Sequence, residues 1–160
     1  MLHINLICVG KIKEKYLKDA ISEYSKRLSK YCILNIIELS DEKVPENLNA
    51  SLQNIIIQKE SDKILSSMKS NSYNIALDLK GIELSSEEFS DTLNKIALNY
   101  NSNITFIIGG TLGMSDKLLQ SCDKLICFSK MTFPHQLIRV FLLEQLFRAF
   151  KIQNNETYHR

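Results

Sequence analysis

Five short runs rich in β-branched apolar residues alternate along this 160-residue chain with longer segments of helical period, and that alternation limits the folds open to it. The runs are His3–Val9, Ile33–Leu39, Tyr73–Leu79, Ile104–Ile108 and Lys124–Phe128. Their length and isoleucine content predict strands, and their nearly continuous apolarity suits strands covered on both faces. Between them, Lys13–Leu28 places Leu17, Ala20, Ile21, Tyr24 and Leu28 on one stripe of an amphipathic helix. Leu52–Met68 predicts a second helix after an acidic loop containing Pro45. The third has the clearest start: Ser85 and Glu88 have capping-box spacing, and Phe89, Leu93, Ile96, Ala97 and Tyr100 then fall on one face. Strand and helix in this order predict an α/β fold, a mainly parallel sheet flanked by helices on both sides. Hydrophobic residues make up 44% of the chain against only 5 Gly and 2 Pro, which excludes a disordered or collagen-like polymer. No repeat or linker interrupts the sequence, so residues 1–160 read as a single domain.

The last predicted helix, Pro134 to Lys151, differs from the others. Leu137, Ile138, Val140, Phe141, Leu142, Leu143, Leu146, Phe147, Ala149 and Phe150 surround it almost completely. A helix apolar on nearly every side is buried nearly everywhere. One face can meet the sheet, and a second subunit is the economical cover for the other, which predicts a homodimer.

Charge excludes little in total and more in its distribution. The net charge is +2, yet residues 1–30 carry seven Lys or Arg against three acids, residues 31–128 eight against thirteen, and residues 129–160 five against two. Basic ends around an acidic middle raise the case for a polyanionic partner, although a solvated helix face is the better account of any one lysine taken alone. Cys8, Cys32, Cys122 and Cys127 include no Cys-x-x-Cys pair, and His3, His135 and His159 complete no zinc pattern, so no metal is expected and the thiols read as buried and reduced. No apolar run reaches the length of a membrane span, and a cytoplasmic location is expected.

Ligands of open parallel sheets bind where loops leave the carboxyl ends of the strands. Gly109-Gly110-Thr111-Leu112-Gly113 follows the fourth predicted strand. Its glycines let backbone approach a ligand closely, though a tight turn would need them too. The dinucleotide fingerprint is broken, because Ile108 stands where its first glycine belongs. A Rossmann-type nucleotide enzyme is therefore disfavoured. A second loop, Ser129 to Pro134, joins the last strand to the last helix, with Pro134 suited to its first turn and Thr132 to its cap. His135 and Arg139, four apart, face the same way near that end. Lys130 as a solvated loop residue, His135 as a capping-region side chain and Arg139 as a salt-bridge donor are the plain alternatives. The tail Tyr158-His159-Arg160 reads either as frayed polarity or as an aromatic, an imidazole and a guanidinium able to engage a nucleobase.

The strings ICVGKIKEKY, ALDLKG, FIIGGTLGM, FSKMTFPHQLIRVFLLEQLFRAFKI and the terminal YHR, in this order and spacing, resemble the ribosomal RNA large subunit methyltransferase H family of the SPOUT superfamily. The resemblance covers essentially the whole chain. It implies a SPOUT-type fold with a C-terminal trefoil knot, a homodimer, and S-adenosylmethionine as methyl donor. The implied reaction is methylation at N3 of a pseudouridine in 23S rRNA of the assembled ribosome, with no metal and no membrane. The family's donor contacts fall on Leu77, Gly109, Phe128, Ser129, Lys130, Met131, Thr132 and Phe133. Leu112 and Thr157 depart from the family's pattern. For the chemistry, Arg139 or Arg160 would supply a cation, His159 a base or an orienting hydrogen bond, and Tyr158 a stacking surface, the tail completing the partner's site. Lys11, Lys13, Lys15, Lys18, Lys26, Arg27 and Lys30 would meet RNA phosphates. The competing reading is a non-catalytic, ribosome-associated RNA-binding dimer with the same fold.

Overall fold

The computed structural model describes residues 1–158, so His159 and Arg160 lie outside the described residues. Strands β1 (Leu2–Val9), β2 (Cys32–Leu39), β3 (Tyr73–Glu83), β4 (Asn103–Ile108) and β5 (Lys124–Cys127) alternate with helices α1 (Lys15–Leu28), α2 (Ala50–Ser67), α3 (Ser86–Asn99), α4 (Asp116–Gln120) and α5 (Leu137–Gln153). The strands form one sheet in the order β2-β1-β4-β3-β5, and every ladder is parallel. The α/β architecture is the expected one, with strict rather than mainly parallel pairing.

Burial follows from the apolar runs. Ile4, Leu6, Ile104, Phe106 and Ile75 point to one face of the sheet, where they meet α1, α3 and α5 through Leu28, Phe89, Leu93 and Leu142. Ile7, Val9, Ala76 and Ile107 alternate to the other face and meet Ile64 of α2 and Leu118 of α4. Each of these buried side chains other than Ala76 contributes about 1.5–3 kcal/mol relative to exposure. Where both faces are covered, in β1, β4 and the start of β3, the runs needed no polar alternation, whereas β2 at the sheet edge leaves Ile33, Asn35 and Glu38 exposed.

Local signals explain the helix starts. Ser85 Oγ accepts from the Glu88 N–H at 3.1 Å while Glu88 Oε2 accepts from the Ser85 N–H at 2.7 Å, completing the predicted capping box of α3. Asn49 caps α2 by accepting from the Leu52 N–H, which moves its start two residues ahead of the prediction. The start of α5 is a correction. The helix begins at Leu137, its cap is Gln136, and no side chain caps it. Thr132 is not the cap; it belongs to an irregular stretch, and only the Pro134 carbonyl reaches into the helix, accepting from the Ile138 N–H.

Two further differences bear on function. The third strand runs past Leu79 to Glu83, with a bulge between Leu77 and Ile82, both of which pair with Ile126 of β5. Gly81 lies in that bulge, where a Cβ would sit 2.5 Å from the Ile126 amide nitrogen. The apolar circumference of α5 is also covered more fully by this chain than its sequence implied. Helices α1 and α3 flank it, burying Leu142, Leu143, Leu146, Phe147, Ala149 and Phe150. Leu137, Val140 and Phe141 remain half-buried.

Candidate functional site

A parallel sheet sends all its carboxyl ends to one side, so the loops after β1, β3, β4 and β5 gather along one edge. There the loops after β3, β4 and β5 enclose a cavity of about 690 Å³. The bulge Leu77 to Lys80, the turn Gly109 to Met114 apart from Leu112, and the segment Phe128 to Pro134 apart from Lys130 form its walls, with Ile126, Cys127, His135 and Ile138 also in the lining. Its size and mainly apolar lining are those of a small-molecule site.

Each wall has a local cause. In the bulge, the Lys80 N–H donates to Asp78 Oδ1 at 2.9 Å, an Asx turn that tips residues 78–80 over the cavity. In the glycine turn, Gly113 adopts φ +94°, and its N–H donates to the Gly110 carbonyl at 3.1 Å. Gly110 rests on Glu60 of α2, whose Oε1 lies 2.6 Å from where a Cβ would stand. The neighbouring Ser61 hydroxyl accepts from the Ser115 N–H at 2.9 Å, so α2 holds both ends of the turn from below. In the third wall, Ser129 Oγ accepts from the Met131 N–H at 3.0 Å, and the Cys127 thiol donates to the Ser129 carbonyl.

Of the eight residues assigned to the donor, Leu77, Gly109, Phe128, Ser129, Met131, Thr132 and Phe133 all line this cavity. Lys130 is exposed and not in the lining. Arg139 is not in the lining either. It is 1% exposed, and its guanidinium donates to Glu38 Oε2 at 3.0 Å and to the carbonyls of Val9 and Gly10 at 2.8 and 3.0 Å. Arg139 therefore fastens the β1–α1 loop, and Glu38 adds a second tie by accepting from the Ile12 N–H. His135 does reach the cavity wall. Burial and then the Arg139 charge hold its pKa below the ordinary 6.5, so its imidazole is neutral at physiological pH.

Sequence reasoning missed Asp78, Leu79, Lys80 and Met114 as lining, and Gly81 and Glu60 as supports. The glycine ending Asp-Leu-Lys-Gly was the available signal for the bulge. All four cysteines are free; Cys8, Cys32 and Cys127 are buried as expected while Cys122 is half-buried, and burial pushes Cys8, Cys32 and Cys122 up to about 12, 11 and 11. Among the described residues no group of three or more His, Cys, Asp or Glu is placed to hold a metal ion, and no helix is long and apolar enough to cross a membrane.

The tail turns back after α5 at Asn155, which has φ 54°. Glu156 then accepts from Lys151, Tyr31 and Lys30. The Lys151 hydrogen bond first, and Tyr31 second, hold its carboxyl down at about 2 against an ordinary 4.5. A depressed carboxylate contributes stability that is complete above its unfolded value and is lost as pH falls through the folded one. Thermal melting of the parent is therefore expected to fall more steeply than that of Glu156→Gln as the pH drops from about 4.5 to about 2. Parallel melting curves across that window would contradict it.

Residues 2–159 match the model of the family described as predicted SPOUT methyltransferase. A protein of Clostridium acetobutylicum named ribosomal RNA large subunit methyltransferase H is 57% identical over 99% of this chain and all of its own length. Proteins of the same name from Clostridium kluyveri and Clostridium botulinum are 55% and 57% identical over the same shares. A solved structure, a probable methylase family protein from Haemophilus influenzae, superposes with a TM-score of 0.54 at 16% identity, covering 99% of this chain and 70% of that one.

Proposed function

Because the chain belongs to the SPOUT methyltransferase family, and so is an enzyme that transfers methyl groups, we propose that it methylates N3 of a pseudouridine in 23S rRNA of the assembled ribosome. S-adenosylmethionine is the proposed donor, the homodimer the proposed working unit and the cytoplasm the proposed location. One observation carries the reading. A cavity of small-molecule size opens at the carboxyl edge of the sheet, walled by seven of the eight residues that the resemblance assigns to the donor.

The residues fit that donor. The apolar walls from Leu77, Phe128 and Phe133 suit an adenosine, and Gly109 leaves its backbone bare to approach, with no Cβ between it and Met114. When bound, the sulfonium supplies an activated methyl group, so the protein has to supply only geometry and proton handling. A donor held by Leu77, Gly109, Phe128 and Phe133 would give its methyl group to N3 and leave as a neutral thioether. The N3 proton must go to a base. His159 is the proposed acceptor or orienting group, and Arg160 the cation that steadies the imide as its charge develops. Arg139 serves differently from the first expectation, since its guanidinium is spent on Glu38 and two backbone carbonyls. Tyr158 is the proposed contact to the base, and Lys130, exposed beside the cavity, a rim contact to donor or RNA. The knotted path of the chain and a single domain over residues 1–160 are part of the same proposal.

The seven basic residues between Lys11 and Lys30 are all exposed, which supports their proposed role at RNA phosphates. Ribosomes lacking the modification, incubated with protein and methyl-labelled donor, are expected to carry label at N3 of one pseudouridine by mass spectrometry. Reversing Lys15 and Lys26 to Glu is expected to weaken ribosome binding and flatten its salt dependence. Unlabelled ribosomes would refute the reaction; unchanged binding would refute that surface.

A further inference from the structure

Glu144, near the middle of α5, gathers more partners than a helix-surface carboxylate needs. Its Oε1 accepts from Arg148 Nε at 3.0 Å and Nη2 at 2.7 Å, an ordinary pair one turn apart. Its Oε2 accepts from the hydroxyl of Tyr158 at 2.9 Å. The Tyr158 ring is boxed in by Phe147 edge-on at 5.0 Å and by the Arg148 guanidinium 4.7 Å from the ring centre.

The location matters as much as the bonds. From the end of α5 the tail doubles back, so that Tyr158 contacts residues 144, 147 and 148 rather than the last turn. That return covers about 13 Å at 1.5 Å per helical residue, toward the end of α5 that borders the cavity. Glu144 itself lines a smaller cavity of about 270 Å³. Phe128 and Phe133 wall both this cavity and the larger one. The carboxylate thus ties the tail to α5 beside a cavity that shares Phe128 and Phe133 with the donor site.

We propose that Glu144 is a positioning residue for methyl transfer: by holding the Tyr158 hydroxyl it fixes the point from which the end of the chain reaches the acceptor base. The inference rests on the tail's role in the reaction proposed above. A displacement of about 1 Å at a reacting group can cost on the order of a hundredfold in rate. Loosening this bond should therefore appear in turnover and leave donor binding alone.

The test is a double-mutant cycle of Tyr158→Phe and Glu144→Gln, with kcat on unmodified ribosomes, donor affinity by calorimetry and melting temperature as readouts. Phenylalanine keeps both ring contacts and removes only the hydroxyl. Each single variant is expected to lower kcat at least about tenfold with donor affinity within about twofold. The double variant should lose less than the product of the two single effects, because the Tyr158–Glu144 bond is touched by both while Glu144→Gln also disturbs the Arg148 pair. Tyr158→Phe with the parent's kcat, or effects that multiply, would overturn the proposal. If Glu144→Gln does not fold, Glu144→Asp takes its place in the cycle. A parent that transfers no methyl refutes the reaction itself; a parent that turns over beside an equally fast Tyr158→Phe refutes only this inference.

Discussion

Replacing Gly81 by alanine is expected to lower the stability of the chain by about 3 kcal/mol, the upper end for overpacking a tight interior. The added Cβ would stand 2.5 Å from the Ile126 nitrogen and 2.6 Å from the carbonyl carbons of Leu125 and Ile126. All three are backbone atoms of β5, and a strand held in the sheet cannot swing aside as a side chain can. The bulge would have to lift, carrying Leu77, Asp78, Leu79 and Lys80 away from the cavity they wall. Melting about 6–12 °C below the parent is the expected result for a domain of this size, accompanied by loss of donor binding. Gly109→Ala is the control. Its Cβ would meet the Met114 side chain at 2.6 Å, a neighbour that can turn, so that variant should melt closer to the parent. A Gly81→Ala protein that melts with the parent would show that the close approach of β3 to β5 is misjudged.

The second large effect is expected at Arg139. Truncation to methionine keeps the apolar volume and removes the guanidinium, leaving the Val9 and Gly10 carbonyls without their buried donor and Glu38 without its cation. Buried polar groups left unpaired cost about 1–3 kcal/mol each. The ion-pair share is smaller than for a fully buried pair, because the Glu38 side chain is 34% exposed and solvent screens it. About 3 kcal/mol is the expected total, read by denaturant unfolding. Adding Glu38→Gln should cost less in the Arg139→Met background than in the parent, since the charge it removes is already unpaired. Strict additivity would mean that the pair does not work as a unit.

These two sites also mark where the sequence stops being informative. The strands were legible because a sheet buried on both faces writes itself as continuous apolar runs, and Ile4, Leu6, Ile104 and Phe106 lie at its centre as that pattern requires. The capping box of Ser85 and Glu88 was legible because all of its partners lie within three residues. The glycine turn and the segment after β5 were legible as a ligand edge from strand order alone, since parallel strands end on one side. Arg139 looked like a site residue because its helical neighbour His135 does face the cavity. Its true partners lie on β2 and β1, 101 and 130 residues away in sequence, beyond the reach of any local period. Gly81 was hidden for the same reason, its neighbours being backbone atoms of β5. The apolar ring of α5 was legible, but the share of it that α1 and α3 cover was not, because nothing local shows that these helices flank it.

What the whole functional proposal rests on is that the Gly109 turn and the Phe128–Phe133 segment close on a methyl donor. A crystal structure grown with S-adenosylmethionine measures this most directly. Density for the donor between Gly109 and Phe133, its adenosine against Leu77 and Phe128, is the expected result. A fully occupied donor elsewhere on the surface, or a cavity that closes on its own side chains at saturating donor, would contradict it.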